Sequence, residues 1–466
     1  MTPPAPGTAP GSEWADLLRR PHLGPLVMLS LGIGLYAFNT FLVATALPSA
    51  VVEIGGVALL AWASTSFLVA AIVGGAGGAG LKARLGARGG LLLGGATFLA
   101  GTLVAGGAGS MPVLLFGRAL QGAGEGVVAA ISYGLIPALF PPRLAPKVFA
   151  AEALVWALAG FAGPVVGGVL TEAVSWRAAF LVNAPVALVF LALVLVIVPR
   201  SLADAAPRAT PLLRLSAIAV GILLVAASSL AASIGGATAA VAAGGAVLAG
   251  VVVADRRSAT RLFPGDAFRP STALGAGLLL VLLMPVAHSF TIVHLTLALQ
   301  QGWGFSPIVA GAMYALGPLS WSAAMLVVAN ISHPGMPAFG IRFGPVVLAL
   351  AVAGQLGAVA AGLPWAMVPF LAAAGASFGI GWAFLSLAVM RAAPAGERDR
   401  AAGLVPTVQS AGYAIGAALT GLAASAAGLG GGDPDTIVKG FAWVVACGLF
   451  PAGLASWLAL RTRTWP

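Results

Sequence analysis

Long apolar runs separated by short polar connectors recur along almost the whole chain. They fall near residues 24–48, 57–79, 89–108, 112–138, 148–170, 178–199, 212–232, 237–254, 272–299, 307–330, 343–362, 364–390, 402–427 and 440–460. Most have the length of about 20 residues that an α-helix needs to cross about 30 Å of hydrocarbon. The runs are unbroken rather than alternating, which predicts membrane helices and not the strands of a membrane barrel. The expectation is an all-α membrane protein with fourteen transmembrane helices. The run at 237–254 is the shortest and is dominated by Ala, Gly and Val.

The two most polar connectors, 200-RSLADAAPRATP-211 and 255-DRRSATRLFPGDAFRP-270, bracket the helices expected over 212–254. The chain therefore reads as six spans, an inserted pair, and six more. The expected organisation is a cytoplasmic tail over 1–23, a six-helix bundle over 24–199, a linker with two inserted helices over 200–255, a second six-helix bundle over 256–461, and a cytoplasmic tail over 462–466. Two bundles around a central path are the general plan of an alternating-access transporter.

Composition turns the membrane reading into a requirement. Of 466 residues, 60% are hydrophobic and only 8% are charged, against roughly 25% charged in a soluble domain. A soluble fold has no interior large enough to hide that much apolar surface. The 64 glycines suit helices packed closely in lipid. The net charge of +10 would suit nucleic acid, but its placement argues otherwise. Of the 23 Lys and Arg residues, Arg177 and Lys439 fall in one set of loops, Arg118 falls inside a span, and all the others fall in the opposite loops or tails. Cytoplasmic loops carry such an excess, so both termini are expected in the cytoplasm and no nucleic-acid partner is expected. The N-terminal MTPPAPGTAPGSEWADLLRRPHLGP lacks the layout of a cleaved signal peptide. An interfacial turn is expected over Trp14–Arg20. The lone Cys447 excludes an intramolecular disulfide and a cysteine metal cluster.

The segment 118-RALQGAGEGVV-128 places Arg118, Gln121 and Glu125 at i, i+3 and i+7, on one face of a helix that should be apolar. Ionised groups in hydrocarbon face a partner or a water-filled cavity. Two readings follow. Glu125 binds protons or substrate with Arg118 biasing its charge, or the two form a fixed buried pair that orients the helix. Gly122, Gly124 and Gly126 allow close helix approach or leave room for water or substrate. Glu152 is expected at shallow depth, pairing with Lys147 or Arg143 or admitting protons from the cytoplasm. His288 lies near the middle of a span just after Pro285, and its imidazole titrates near neutral pH. His294 is six residues further on and faces elsewhere, so a two-His metal site is not expected. Trp176 and Arg177 read as an anchor at the outer membrane boundary.

Several segments resemble motifs of the major facilitator superfamily, in its fourteen-helix drug:proton antiporter branch. The stretch 160-GFAGPVVGGVL-170 is similar to the antiporter motif of the fifth helix, and 176-WRAAFLVNAP-185 to a signature that follows it. The stretch 114-LLFGRALQGAG-124 resembles the fourth-helix motif, and 300-QQGWGFSPIVAG-311 a stretch of the second half. The resemblance covers nearly the whole chain. It implies a proton-coupled exporter of small amphipathic, drug-like compounds in a bacterial-type inner membrane, working as a monomer without a cofactor. Gly163, Pro164, Gly167 and Gly168 would form a conformational pivot, since small residues admit a neighbouring helix and Pro164 bends its own.

Two positions depart from the family pattern. In 39-NTFLVATALP-48, Asn39 stands where the family keeps an acid, and an amide cannot carry a proton on and off. In 79-AGLKARLGAR-88, Ala83 stands at the usual acid, while Arg84 and Gly86 remain. The expected proton-coupling residues are therefore Glu125, Arg118, Glu152 and His288. The expected substrate contacts are Asn39, Gln121, Glu125 and His288. A carrier of lipids or metabolites without that coupling, and a sensor that binds ligand without turnover, remain as alternatives. Metal-ligand spacing, a phosphate loop and a nucleophile elbow are all missing from the sequence, so no enzymatic activity is expected.

Overall fold

In the computed structural model, residues 12–141, 144–199, 212–231, 233–258, 261, 263–264, 266–267, 269–329, 331, 333–393, 398–429 and 433–462 are described. The first eleven residues, the connector 200–211 and the last four residues lie outside them. Helices α1 (Ser12–Leu17), α2 (Arg20–Ile54), α3 (Leu60–Gly106), α4 (Met111–Leu139), α5 (Ala145–Ala173), α6 (Trp176–Leu181) and α7 (Asn183–Ile197) make the N-terminal half. Helices α8 (Leu212–Ala227) and α9 (Ile234–Arg256) follow. The C-terminal half contains α10 (Ala273–Leu297), α11 (Pro307–Ala329), α12 (Met336–Ala360), α13 (Val368–Ala392), α14 (Arg398–Ala426) and α15 (Pro434–Arg461). Among the described residues, twelve segments are long and apolar enough to cross a membrane. The runs expected at 57–79 and 89–108 are continuous in α3, which kinks at Gly86 with φ 72° and ψ 168°. Only glycine enters that backbone region without strain, so the residue turns the chain where a loop was expected.

The cores show how the halves meet. One cluster lies within Leu17–Val198 and includes Met28, Leu91, Ile131 and Phe190. Another is built almost wholly from the C-terminal half, around Leu278, Leu348, Phe378 and Phe441. A third crosses between them, joining Leu42, Ala46, Ala50, Leu114 and Phe180 to Phe290, Leu297, Ala424 and Val444. The shared core lies at the end of the bundle where α2 terminates. At the end where α2 begins, Leu26, Met28 and Leu29 belong to the N-terminal core alone. The halves are thus fused at one end of the bundle.

The helices after the first half bear on the seam between halves. Ala219 and Ile222 of α8 pack with Val69 and Ile72 of α3 and with Ala414 of α14, and Trp62 donates to the Ser229 hydroxyl at 3.0 Å. Arg214 of α8 pairs with the buried Asp255 at the end of α9, and the second Asp255 oxygen accepts from the Phe263 amide at 2.8 Å. Helix α9 keeps most of its surface exposed, as a lipid-facing helix should.

Candidate substrate and proton site

Glycines bring the charged helix into the centre of the N-terminal half. A Cβ at Gly122 would strike the carbonyl oxygen of Phe67, and one at Gly126 that of Ala71, both on the first part of α3. A Cβ at Gly124 would reach the Phe98 backbone nitrogen at 2.5 Å, on the second part. Of the two possibilities that the sequence leaves for these glycines, the structure realises close helix approach. Helix α4 is wedged backbone to backbone between the two arms of α3.

That packing holds Arg118, Gln121 and Glu125 almost fully buried, at 3%, 0% and 2% exposure. Arg118 donates to the Ala63 carbonyl at 3.2 Å and to the Gln121 side-chain oxygen at 2.9 Å. Its guanidinium lies 4.1 Å over the Phe67 ring. The Gln121 amide donates to Thr102 at 3.0 Å and to the Asn39 oxygen at 3.5 Å. Asn183 donates to that same Asn39 oxygen at 3.4 Å. A continuous polar network thus links α2, α3, α4 and α7, with Asn39 and Gln121 wholly inside it. Their side-chain oxygens and the Gln121 amide are occupied by protein partners.

Glu125 stands apart. It feels the charge of Arg118 and Tyr36 lies within its electrostatic reach, yet neither carboxyl oxygen has a hydrogen-bond partner. The fixed Arg118–Glu125 ion pair considered from the sequence is absent among the described residues, and Arg118 is held by Gln121 and Ala63 instead. A buried carboxylate without a partner bears an uncompensated desolvation cost, so this position calls for a positive counterpart: a proton or a cationic group.

Glu152 is also deeper than the sequence suggested, at 2% exposure. One of its oxygens accepts from Ser30 at 3.2 Å and the other has no partner. Arg143, one of its expected partners, lies outside the described residues. His288 is partly buried, with its ring 5.3 Å from Phe378 and 6.3 Å from Tyr413, and its Nδ1 is unpartnered. His294 is buried at 2% exposure, also with Nδ1 unpartnered. Trp176 is buried rather than anchored in an interface. It donates to Glu53 at 2.7 Å, while Arg177 bonds the other Glu53 oxygen at 2.5 Å and the Ala108 carbonyl at 3.1 Å. The pair staples the ends of α2, α3 and α6 together.

The conformational motif sits between the halves. A Cβ at Gly163 would come within 2.9 Å of the Phe41 Cβ, and one at Gly167 within 2.6 Å of the Leu42 carbonyl, both on α2. A Cβ at Gly168 would come within 2.6 Å of the Pro307 carbonyl oxygen, and one at Gly311 of α11 would strike the Pro164 carbonyl. The same helix therefore packs on its own half through one face and on the opposite half through another. Arg84 is exposed and Gly86 forms the kink of α3.

Aromatic side chains collect in both halves in a way that the sequence did not single out. On the first half, Tyr36 stacks on Phe67 at 5.7 Å and meets Trp156 edge-on at 5.5 Å. Phe41 reaches across to Tyr314 at 6.5 Å. On the second half, Trp321 stacks on Phe378 at 4.8 Å, and both adjoin Trp382. The Tyr36 phenol lies within electrostatic reach of Tyr133 and Tyr413, and Tyr413 within that of Tyr314. These are the only four tyrosines of the chain, beside 21 Phe and 11 Trp. That scarcity was the available signal: a phenol away from the membrane boundary needs a polar neighbour, and each of these lies within an apolar run.

The family model for the Major Facilitator Superfamily matches residues 29–417. A protein named "probable multidrug-efflux transporter" from Mycobacterium tuberculosis is 31% identical over 433 residues, spanning 89% of this chain and 90% of the relative. The tetracenomycin C resistance and export protein of Streptomyces glaucescens is 28% identical over 329 residues, spanning 69% of this chain and 59% of the relative. Among solved structures, the POT family transporter PepTSo superposes with a TM-score of 0.68 at 15% identity, over 95% of this chain and 97% of that one; at that identity the likeness speaks for the fold. Together with the two-halved, all-helical architecture, these matches establish that the chain belongs to the Major Facilitator Superfamily, as a multi-pass membrane transporter.

Proposed function

We propose that this transporter exports small amphipathic compounds across a bacterial-type inner membrane in exchange for protons, with Glu125 as the proton-binding group. The observation that carries this reading is the Glu125 carboxyl, buried with both oxygens unpartnered and within electrostatic reach of Tyr36, whose ring packs on Phe67 and Trp156. Two occupants fit: a proton, or a cationic part of a substrate. Competition between them is the simplest way to couple opposing fluxes. Arg118, locked by Gln121, Ala63 and Phe67, biases the occupancy of Glu125. Asn39, where the family keeps an acid, serves as a fixed acceptor in the network and leaves proton handling to α4. Glu152, with one free oxygen, acts as a relay nearer the α2 start, and His288 contacts substrate together with Phe378 and Tyr413.

In this reading α4 and α14 also span the membrane, giving fourteen crossings with a six, two, six division, with boundaries near 199 and 256. The basic connectors and both termini lie in the cytoplasm, so the fused end of the bundle faces outward. The protein acts as a monomer and needs no cofactor. The names of the relatives, a multidrug-efflux transporter and a tetracenomycin C resistance and export protein, support export of drug-like compounds by this chain.

The test is drug-driven proton movement in proteoliposomes under an imposed pH gradient. Glu125→Gln keeps shape and removes titration. Gradient-driven transport should then be lost while binding of a neutral substrate persists. Gradient-driven transport at the wild-type rate in that variant would instead favour the carrier that the Asn39 substitution also allows, with no coupling through a membrane acid.

A further inference from the structure

The fused end of the bundle contains hydrogen bonds that nothing in the proposed site uses. Pro48 of α2 has no N–H, so the carbonyl four residues earlier, that of Ala44, loses its helical partner. In hydrocarbon such a carbonyl must find a donor elsewhere. It finds one on the other half: the Thr296 hydroxyl of α10 donates to it at 2.7 Å. The next carbonyl, of Thr45, accepts from the Gln300 amide at 3.1 Å, and the carbonyl of Pro48 itself accepts from the Gln301 amide at 3.0 Å. The Ser49 hydroxyl closes the set on the Gln300 oxygen at 3.5 Å.

The C-terminal half is shaped for this contact. Past Leu297 the chain leaves the α-helical pattern and forms a π turn over Ala298–Gly302. The Trp303 amide bonds the Ala298 carbonyl at 3.0 Å, and Gly304 then turns the chain with φ 69°. In a regular α-helix Gln300 follows Thr296 on one face and Gln301 swings about 100° away. The wider π turn presents both glutamines to the same edge of α2. Trp303 packs edge-on against Phe441 at 6.3 Å, which fixes the turn on α15. Leu42, Ala46 and Leu47 of α2 and Leu297 of α10 surround the contact with the shared apolar core, where water competes poorly for the same donors.

We propose that Thr296, Gln300 and Gln301 are a latch that holds this end of the transporter shut by satisfying α2 carbonyls, foremost the one that Pro48 leaves unpaired. The latch is conditional. When the halves part at this end, water replaces the three donors, so the bonds stabilise the closed arrangement over the open one and set how often the transporter opens there. The latch rests on the alternating-access part of the proposed function but not on its proton or drug assignment.

The experiment measures geometry without substrate or gradient. In a Cys447→Ser background, nitroxide labels at Val174→Cys and Leu363→Cys report the separation of the halves in lipid nanodiscs by pulsed dipolar spectroscopy. Both positions are exposed and lie at the fused end, the first beside the Trp176–Glu53 contact and the second beside Trp365, which packs on Phe305. Gln300→Ala with Gln301→Ala, and separately Thr296→Val, should raise the open population by about tenfold relative to the closed one. Thr296→Ser, which keeps the donor, should leave the distance distribution unchanged. Pro48→Ala gives Ala44 its own helical partner again, so in that background Thr296→Val should have little further effect. Distributions that superpose on wild type in both latch variants would overturn the proposal. So would an undiminished Thr296→Val effect in the Pro48→Ala protein. A latch that behaves as expected in a protein without proton-driven export would leave the latch standing and remove only the coupling assignment.

Discussion

The two halves of the transporter share a fold plan but solve opposite problems at the centre. The N-terminal half buries a guanidinium, two carboxyls and three side-chain amides among the described residues. The C-terminal half instead clusters aromatic rings, with Trp321, Phe378 and Trp382 packed together, His288 beside Phe378 and Tyr413, and Tyr314 reaching across to Phe41. In the first half Arg118, Gln121, Asn39 and Asn183 are joined by hydrogen bonds, whereas both Glu125 oxygens have no partner. In the second half the rings are stacked, tilted or edge-on, which suits adaptable apolar contacts more than one fixed set of hydrogen bonds. The difference teaches a division of labour. Under the proposed function, the polar frame sets where Glu125 takes up positive charge and the aromatic cluster is the softer wall that receives substrate.

The comparison breaks most completely at the glycines that hold the frame together. Gly122→Val puts a branched side chain against the Phe67 backbone carbonyl, where neither helix can yield by rotating a side chain. We expect little folded protein in detergent, read by monodisperse yield and thermal unfolding, since overpacking costs on the order of 1–3 kcal/mol even where a core can adjust. The next largest effect is on the charge itself. Arg118→Lys keeps the charge but loses the fork that joins Ala63 to Gln121 and the flat face on Phe67. Transport should fall by on the order of tenfold with folding retained, because Lys does not replace a bidentate, stacked Arg.

A smaller and different change is expected on the aromatic wall. Trp321→Ala should raise KM for bulky substrates by about tenfold and leave kcat close to wild type, the signature of lost uniform binding. An equal loss of kcat would show that the wall is as rigid as the frame. The smallest effect sharpens the frame's own logic. Asn39→Asp alone should lower stability, because it buries a carboxylate whose second oxygen replaces the unpartnered Asn39 Nδ2 and has no donor. In the Glu125→Gln background the same change should restore part of the gradient-driven transport. No restoration would mean that proton binding at α2 and α4 is not interchangeable.

Particular residues show how far the sequence reaches. The apolar runs locate the helices well, because the cost of unpaired backbone in lipid leaves little alternative to a helix. Arg118 and Glu125 were conspicuous for the same reason: charge in an apolar run is expensive and therefore informative. What the pair does with that charge was not legible. Arg118 turned away to Gln121 on its own helix and to Ala63 and Phe67 on the first arm of α3, which lies within reach because glycines let the two helices touch. Glu152 looked shallow from its distance to Lys147, yet the packing of α2 buries it beside Ser30. The tyrosines and Thr296 were not singled out, and Gln300 and Gln301 stood out only as the start of a family-like stretch, since each is an ordinary polar residue in its own helix and acquires meaning only across the interface.

The amino-acid sequence by itself determined the solvent of this protein, its helical construction, the asymmetry of its basic loops and the presence of a buried acid without its usual counterpart at position 39. Those follow from local quantities: hydropathy over one span, charge in one loop, the identity of one residue. Only the tertiary structure decided which polar atoms find partners, that Glu125 alone of the α4 triad has none, and that one end of the bundle is fastened through α2 carbonyls. Hydrogen bonds in a membrane are pairwise and directional, and the two partners here lie as much as 255 residues apart along the chain, a relation that no periodicity within a single helix encodes.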